Sequence, residues 1–169
     1  MGVVTYEMEV ATTIPPANIF KAFVLDSDNL IPKILPLAIK SVVTLEGDGG
    51  AGIIKQVNFG EDYFWFVFPA GNQFTYMKQR IDGIDKENFS YRYTVIEGDA
   101  LMGALEKISN ENKFEAAYDG GSMCKSSCSY YTIGDIDIKE EEIKAGKEKA
   151  SVMFKAIEAY LLANPDAYN

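Results

Sequence analysis

The chain reads as an α+β protein in which a curved antiparallel sheet wraps one long C-terminal helix. Three observations carry that reading: an alternating first segment, a series of turn motifs between Lys40 and about Tyr131, and a switch to helical spacing after Gly134-Asp135. Short connections between neighbouring strands make an antiparallel meander. A long sheet with a single long helix hides its apolar face by curling around that helix.

Val4, Tyr6, Met8 and Val10 fall on one side of the first segment and Thr5, Glu7 and Glu9 on the other, the pattern of a half-buried strand. It ends at Ile14-Pro15-Pro16, where proline suits the first turn of a helix carrying Ala17 to Phe23. Asp26-Ser27-Asp28-Asn29 supplies capping side chains for a second short helix through Leu30 and Ile31, expected to break at Pro32 and Pro36. Strands follow, separated by Glu46 to Gly52, Pro69 to Asn72, Asp82-Gly83 to Asn88, Glu97 to Asp99, and Asp119 to Gly121. Beyond Gly134, the residues Ile143, Gly146, Ala150, Met153 or Phe154, Ile157 and Tyr160 or Leu161 recur at helical spacing as far as Asn164-Pro165. Glu140, Glu141 and Glu142 stand where the helix dipole favours anions.

With 169 residues and no repeat or linker, the chain is expected to form one domain over 1–169. Its 47% hydrophobic and 24% charged residues are those of a globular protein. With 25 acids against 16 bases, the net charge of −9 is the wrong sign for a protein that neutralises phosphates, so no nucleic-acid partner is expected. Cys124 and Cys128 sit four apart in a strand, roughly 13 Å, against roughly 7 Å at most for a disulfide, and should be free thiols. The opening residues carry no basic stretch before an apolar core, Tyr6 occupies the place where myristoylation wants Ser or Thr, and no window reaches membrane-span length. The expected compartment is the cytoplasm.

The chain has no histidine. That removes Ser-His-Asp and Cys-His nucleophile systems and His-based zinc sites, leaving carboxylates, Lys, Tyr and Cys for proton transfer. No metal, cofactor or coherent catalytic set is expected. The more telling stretch is the glycine-rich turn Glu46 to Gly52 feeding Ile53 to Phe59, where Lys55 shares a face with Ile53, Val57 and Phe59. An ammonium there either lines a cavity, met by a partner, water or polar ligand, or lies near the strand end and snorkels to solvent. No Gly-Lys-Ser or Gly-Lys-Thr follows the glycines, so the loop reads as a hairpin turn and not a phosphate cradle. Tyr91 and Tyr93 share a face of their strand, either as polar tips in a pocket or as core tyrosines bonded to backbone.

Several motifs in order extend this reading. Gly2-Val3-Val4-Thr5-Tyr6-Glu7, Leu30-Ile31-Pro32-Lys33, the Glu46 to Gly52 loop, Val95-Ile96-Glu97-Gly98-Asp99, Ala159-Tyr160-Leu161-Leu162-Ala163 and the Asp166-Ala167-Tyr168-Asn169 ending span nearly the whole chain. Together they resemble the plant pathogenesis-related class-ten proteins, the major birch pollen allergen family. The resemblance implies a START-like helix-grip fold: seven antiparallel strands, two short helices in a V, and a long C-terminal helix over an internal cavity. It implies defence-related binding, storage or transport of small hydrophobic plant metabolites or hormones of flavonoid, cytokinin or sterol type. The implied wall is Phe23, Ile39, Lys55, Val57, Phe59, Tyr91 and Tyr93, with Ala150, Met153 and Phe154 as a roof.

The family's contested ribonuclease positions would correspond to Glu106, Glu158 and Tyr160, which the net charge argues against. Two rivals to a simple binder remain open at this level. One is an enzyme of condensation or isomerisation using Lys55 with Tyr91 or Tyr93 as acid and base, if burial lowers the lysine pKa. The other is a module whose ligand creates a surface for a protein partner.

The chain departs from the family's usual pattern in two places. Where the family carries Lys-Tyr-His-Thr-Lys-Gly, this chain has Ser129-Tyr130-Tyr131-Thr132-Ile133-Gly134. Its Tyr63-Phe64-Trp65-Phe66-Val67-Phe68 run also breaks alternation within a hairpin longer than usual. Three readings of that run stand: a buried hairpin, a lid formed by Phe64, Trp65, Phe66 and Phe68, or a self-association surface.

Overall fold

The computed structural model describes residues 2–36, 39–47, 51–59, 76–98, 101, 104–134 and 140–168, with side chains of the last helix described at Lys144 and from Ser151 onward. The chain opens with β1 (Val3–Thr12), whose residues alternate exposed and half-buried as their polar and apolar side chains dictate. Helix α1 (Pro16–Phe20) follows, with Pro16 in its first turn, where the missing N–H costs nothing, and runs into a π turn over Lys21–Leu25. Helix α2 is Ser27–Ile34. The strands β2 (Ile39–Glu46), β3 (Ile54–Phe59), β4 (Tyr76–Asp85), β5 (Ser90–Gly98), β6 (Leu105–Ala116) and β7 (Ser122–Thr132) precede the terminal helix α3 (Glu140–Ala163).

The seven strands form one antiparallel sheet in the order β1-β7-β6-β5-β4-β3-β2. The meander therefore runs in sequence from β2 to β7, and β1 closes it on the β7 side. Phe154, Ile157 and Leu161 of α3 pack with Phe20 of α1, Leu30 of α2, Phe114 of β6 and Cys124 of β7 in the largest apolar cluster. Ile157 and Ile19 are wholly buried and Phe20 nearly so, each contributing roughly 1.5–3 kcal/mol by leaving water. Helix, V-helices and concave sheet face thus meet at one end of the sheet.

Two local expectations shift. Pro32 does not break α2, which runs on to Ile34 and closes with Leu35 N–H donating to the Ile31 carbonyl at 2.8 Å. Only the bond to the Asp28 carbonyl is forfeited, a loss an end-of-helix turn absorbs. Asp82-Gly83 is likewise no turn: β4 passes through it as a bulge between Ile81 and Gly83, and the turn contracts to residues 86–89. Arg92 on the partner strand lies over Gly83, and a Cβ there would fall 2.8 Å from its Nη2. That atom is the far end of a flexible side chain, so the approach does not by itself demand glycine.

Candidate functional site on the concave face

Directly opposed residues of antiparallel strands project to the same side, so the register fixes what faces α3. One row reads Ile84, Tyr91, Asn112, Ser126 and Met8 across β4, β5, β6, β7 and β1; the next reads Ile81, Tyr93, Asn110, Cys128 and Tyr6. A third crosses Lys55, Gln79, Val95, Ile108, Tyr130 and Val4. Tyr91 packs against the large cluster with Phe114, while Tyr93 and Tyr130 pack with Val95, Leu105 and Ile108, which identifies this as the inward face. Its middle is rich in hydrogen-bonding groups.

The apolar residues around that middle form three clusters among the described residues. Besides the large one, Ile39, Val57 and Phe59 form a second, and Val95, Leu101, Leu105 and Ile108 a third. Met153 of α3 packs against both the first and second, and Met77 against both the second and third. Phe23 stands between Phe114 and Phe154, with ring centroids 5.6 and 6.2 Å away. Of the expected wall and roof, Phe23, Ile39, Val57, Phe59, Met153 and Phe154 all belong to these inward clusters. The side chain of Ala150 lies outside the described residues, as do Phe64, Trp65, Phe66 and Phe68 with the rest of their hairpin.

Lys55 has its partner in the chain itself. Its Nζ lies 2.8 Å from Asp28 Oδ2 of α2, with side-chain exposures of 15% and 33%. Neither end is free in water, so the pair straps the second short helix to β3 beside the inward face. A second strap holds the same N-terminal turn of α2: the Tyr168 hydroxyl donates to Asp26 Oδ2 at 2.5 Å, and Asn29 Nδ2 donates to Asp26 Oδ1 at 2.9 Å. Of the capping group Asp26 to Asn29, Asp26 takes the N-cap position, but its carboxylate serves these two donors and makes no side-chain cap bond.

The two tyrosines differ from ordinary core tyrosines. Burial raises both phenols well above their usual range, Tyr91 further through its neighbour Tyr93 and the carboxylates of Asp28 and Asp82. Their rings lie 5.2 Å apart at 31°, yet neither hydroxyl has a hydrogen-bond partner among the described residues. Both side chains nonetheless keep accessible surface. Tyr130 is raised likewise by burial and by Cys128 beside it.

Cys124 and Cys128 are free, as their spacing requires. Burial, with Glu158 nearby, pushes the Cys124 thiol up to about 12, and burial raises Cys128. Neither is a ready nucleophile. The ribonuclease positions do not converge: Glu106 is exposed on β6, Glu158 pairs with Lys155 at 3.8 Å, and the Tyr160 hydroxyl accepts from Lys33 Nζ at 3.2 Å. No hydrogen bond or ion pair joins any two of the three among the described residues. Among those residues, too, no group of three or more His, Cys, Asp or Glu is arranged to hold a metal ion, and no helix is long and apolar enough to cross a membrane.

Sequence reading missed Asp28, Gln79, Asn110, Asn112, Ser126, Cys128 and Tyr130. Alternation along β6 places Asn110 and Asn112 on the face of Ile108 and Phe114, but only the pairing of β6 with β5 and β7 sets them opposite Tyr93, Tyr91 and Ser126.

A seven-stranded antiparallel sheet gripping one long terminal helix, with two short helices at one end, defines the helix-grip class. Within it the chain belongs to the Pathogenesis-related protein Bet v 1 family, whose family model matches residues 1–164. It is 59% identical to the major allergen Pru av 1 of Prunus avium and 55% identical to the major allergen Mal d 1 of Malus domestica, each over 100% of both chains. The crystal structure of Ara h 8.0201 superposes with a TM-score of 0.83 at 42% identity, covering 96% of this chain and 100% of that one. Norcoclaurine synthase from Thalictrum flavum, solved with dopamine and hydroxybenzaldehyde, matches with a TM-score of 0.70 at 20% identity, covering 96% of this chain and 88% of that one. At that identity the likeness concerns the fold.

Proposed function

We propose that this chain is a noncatalytic, single-domain binder that stores or transports a small hydrophobic or amphipathic plant metabolite, held between the concave sheet face and α3. A flavonoid, cytokinin or sterol type of guest fits the family, as does a defence-related role in the cytoplasm. The observation that carries this reading is the state of Tyr91 and Tyr93: desolvated enough to resist ionisation, without hydrogen-bond partners among the described residues, yet keeping accessible surface. Accessible area on a side chain walled off from bulk water lines an internal space. Among the described residues, apolar clusters flank a middle rich in hydrogen-bonding groups, which supports the same reading. Aromatic walls with a few polar tips are what an oxygenated ring system needs.

A binder is favoured over an enzyme because Lys55, the candidate base, is engaged by Asp28 and makes no hydrogen bond to either tyrosine among the described residues. Native mass spectrometry of the protein purified from its source tests the proposal. One small-molecule adduct at a 1:1 ratio, surviving buffer exchange, is expected. Protein that is bare from its source and takes up no lipophilic compound on mixing would sink it.

A further inference from the structure

Asn112 sits in the middle of the inward face, directly opposite Ser126 of β7 on one side and Tyr91 of β5 on the other. The Ser126 hydroxyl donates to Asn112 Oδ1 at 2.8 Å, which occupies the amide's acceptor and fixes its orientation. The amide's two N–H donors have no partner among the described residues. Tyr91, directly opposite, and Tyr93, two residues along β5, carry hydroxyls also without partners among the described residues, on rings 5.2 Å apart. The inward face thus carries four donor hydrogens on neighbouring register positions, and donors away from bulk water are costly unless something accepts from them.

The charge around them narrows what that something is. The nearby ammonium, Lys55, is engaged by Asp28. The carboxylates that act on Tyr91, Asp28 and Asp82, are themselves paired with Lys55 and Arg80. With Lys55 so engaged, an anionic guest would be desolvated without that cation to offset its charge, whereas a neutral acceptor oxygen needs no counter-ion.

We propose that Asn112, oriented by Ser126, selects the guest by donating from its amide to a carbonyl oxygen on a flat, neutral aromatic molecule. The inference rests on the interior-binding reading above and narrows it to one chemistry. Fluorenone and fluorene separate the two, because they share a shape and differ in a single acceptor oxygen; fluorenol replaces that acceptor with a hydroxyl.

Equilibrium dialysis of the three probes against the unaltered protein, Asn112→Leu and Ser126→Ala tests it. Loss of one buried hydrogen bond predicts that Asn112→Leu weakens fluorenone about tenfold while fluorene stays within about twofold. Ser126→Ala, which keeps the amide but frees it to turn, should cost about threefold on fluorenone alone, and it guards against a misfolded leucine variant. Equal losses for fluorenone and fluorene would reduce Asn112 to a packing residue, and an unchanged fluorenone affinity would remove it from the site. A preference for fluorenol over fluorenone would mean the amide presents its oxygen instead, and overturns the assignment. Fluorene binding that persists in these cases leaves the interior site standing. If none of the probes binds the unaltered protein, the inference falls, and the interior site falls with it only if the native protein is also bare and takes up no other lipophilic compound.

Discussion

Thr94 shows how much a single hydroxyl can carry in this fold. It is 2% exposed on the outer face of β5, and its Oγ1 donates to Asp82 Oδ2 at 2.5 Å, where Arg80 Nε also donates to Oδ1 at 2.8 Å. Burial alone would raise the Asp82 carboxyl, but the Thr94 and Arg80 hydrogen bonds, with both nearby guanidinium charges, outweigh it and hold the group below the usual carboxylate range. A carboxyl depressed in the folded state stabilises above its unfolded value, near 4, and that stability fades as pH falls through the lower folded value. Thr94→Val should therefore cost about 1 kcal/mol at pH 7 after allowance for solvent screening at Asp82, and less near pH 2. Urea titrations at the two pH values check this; a penalty that does not shrink in acid would mean the loss is packing and not the charged bond. The same scale marks what the sequence revealed of the site. Alternation alone put Lys55 inward, because a two-residue period needs no tertiary information. Its partner Asp28 was hidden, because the contact joins α2 to β3 across a fold that local pattern does not describe.

Elements were legible where a local rule and the tertiary structure agree. The first strand, the terminal helix and the Asp119 to Gly121 turn follow from alternation, 3.6-residue spacing and glycine chemistry. The Asp82-Gly83 signal misled because β4 runs on through it as a bulge paired with β5, and that pairing exists only between strands. Gly98 is the case where the neighbouring backbone itself comes close. At the end of β5 its φ is +119°, and an added Cβ would lie 2.5 Å from the Tyr76 carbonyl oxygen and 2.6 Å from Met77 Cα. Gly120, in the hairpin between β6 and β7, has φ +88° with nothing within 4 Å of an added Cβ. Alanine at Gly120 faces only the backbone preference, about 1 kcal/mol, while alanine at Gly98 adds a collision with β4 backbone and should cost about 3 kcal/mol or more. Comparable midpoints for the two variants in chemical denaturation would show that β4 and β5 can separate there without loss.

At the scale of the molecule, the interior face draws its groups from β1 and β3–β7 and its roof from α3, so a guest enclosed there touches elements distant in sequence. That geometry distinguishes an enclosed guest from one on the outer surface. Any ligand of the folded state alone raises global stability, by about 2.7 kcal/mol at a hundred times its dissociation constant, wherever it sits. Local opening of α3 is different. It unroofs the concave face, so a guest beneath must leave before α3 can lift, whereas a guest on the outer face of the sheet would not resist it. With fluorenone at a hundred times its dissociation constant, amide exchange across residues 151–163 should slow by up to about a hundredfold. If the melting temperature rises while α3 continues to exchange at its unliganded rate, the guest lies outside the grip, and the arrangement of Tyr91, Tyr93 and Asn112 answers to something other than binding.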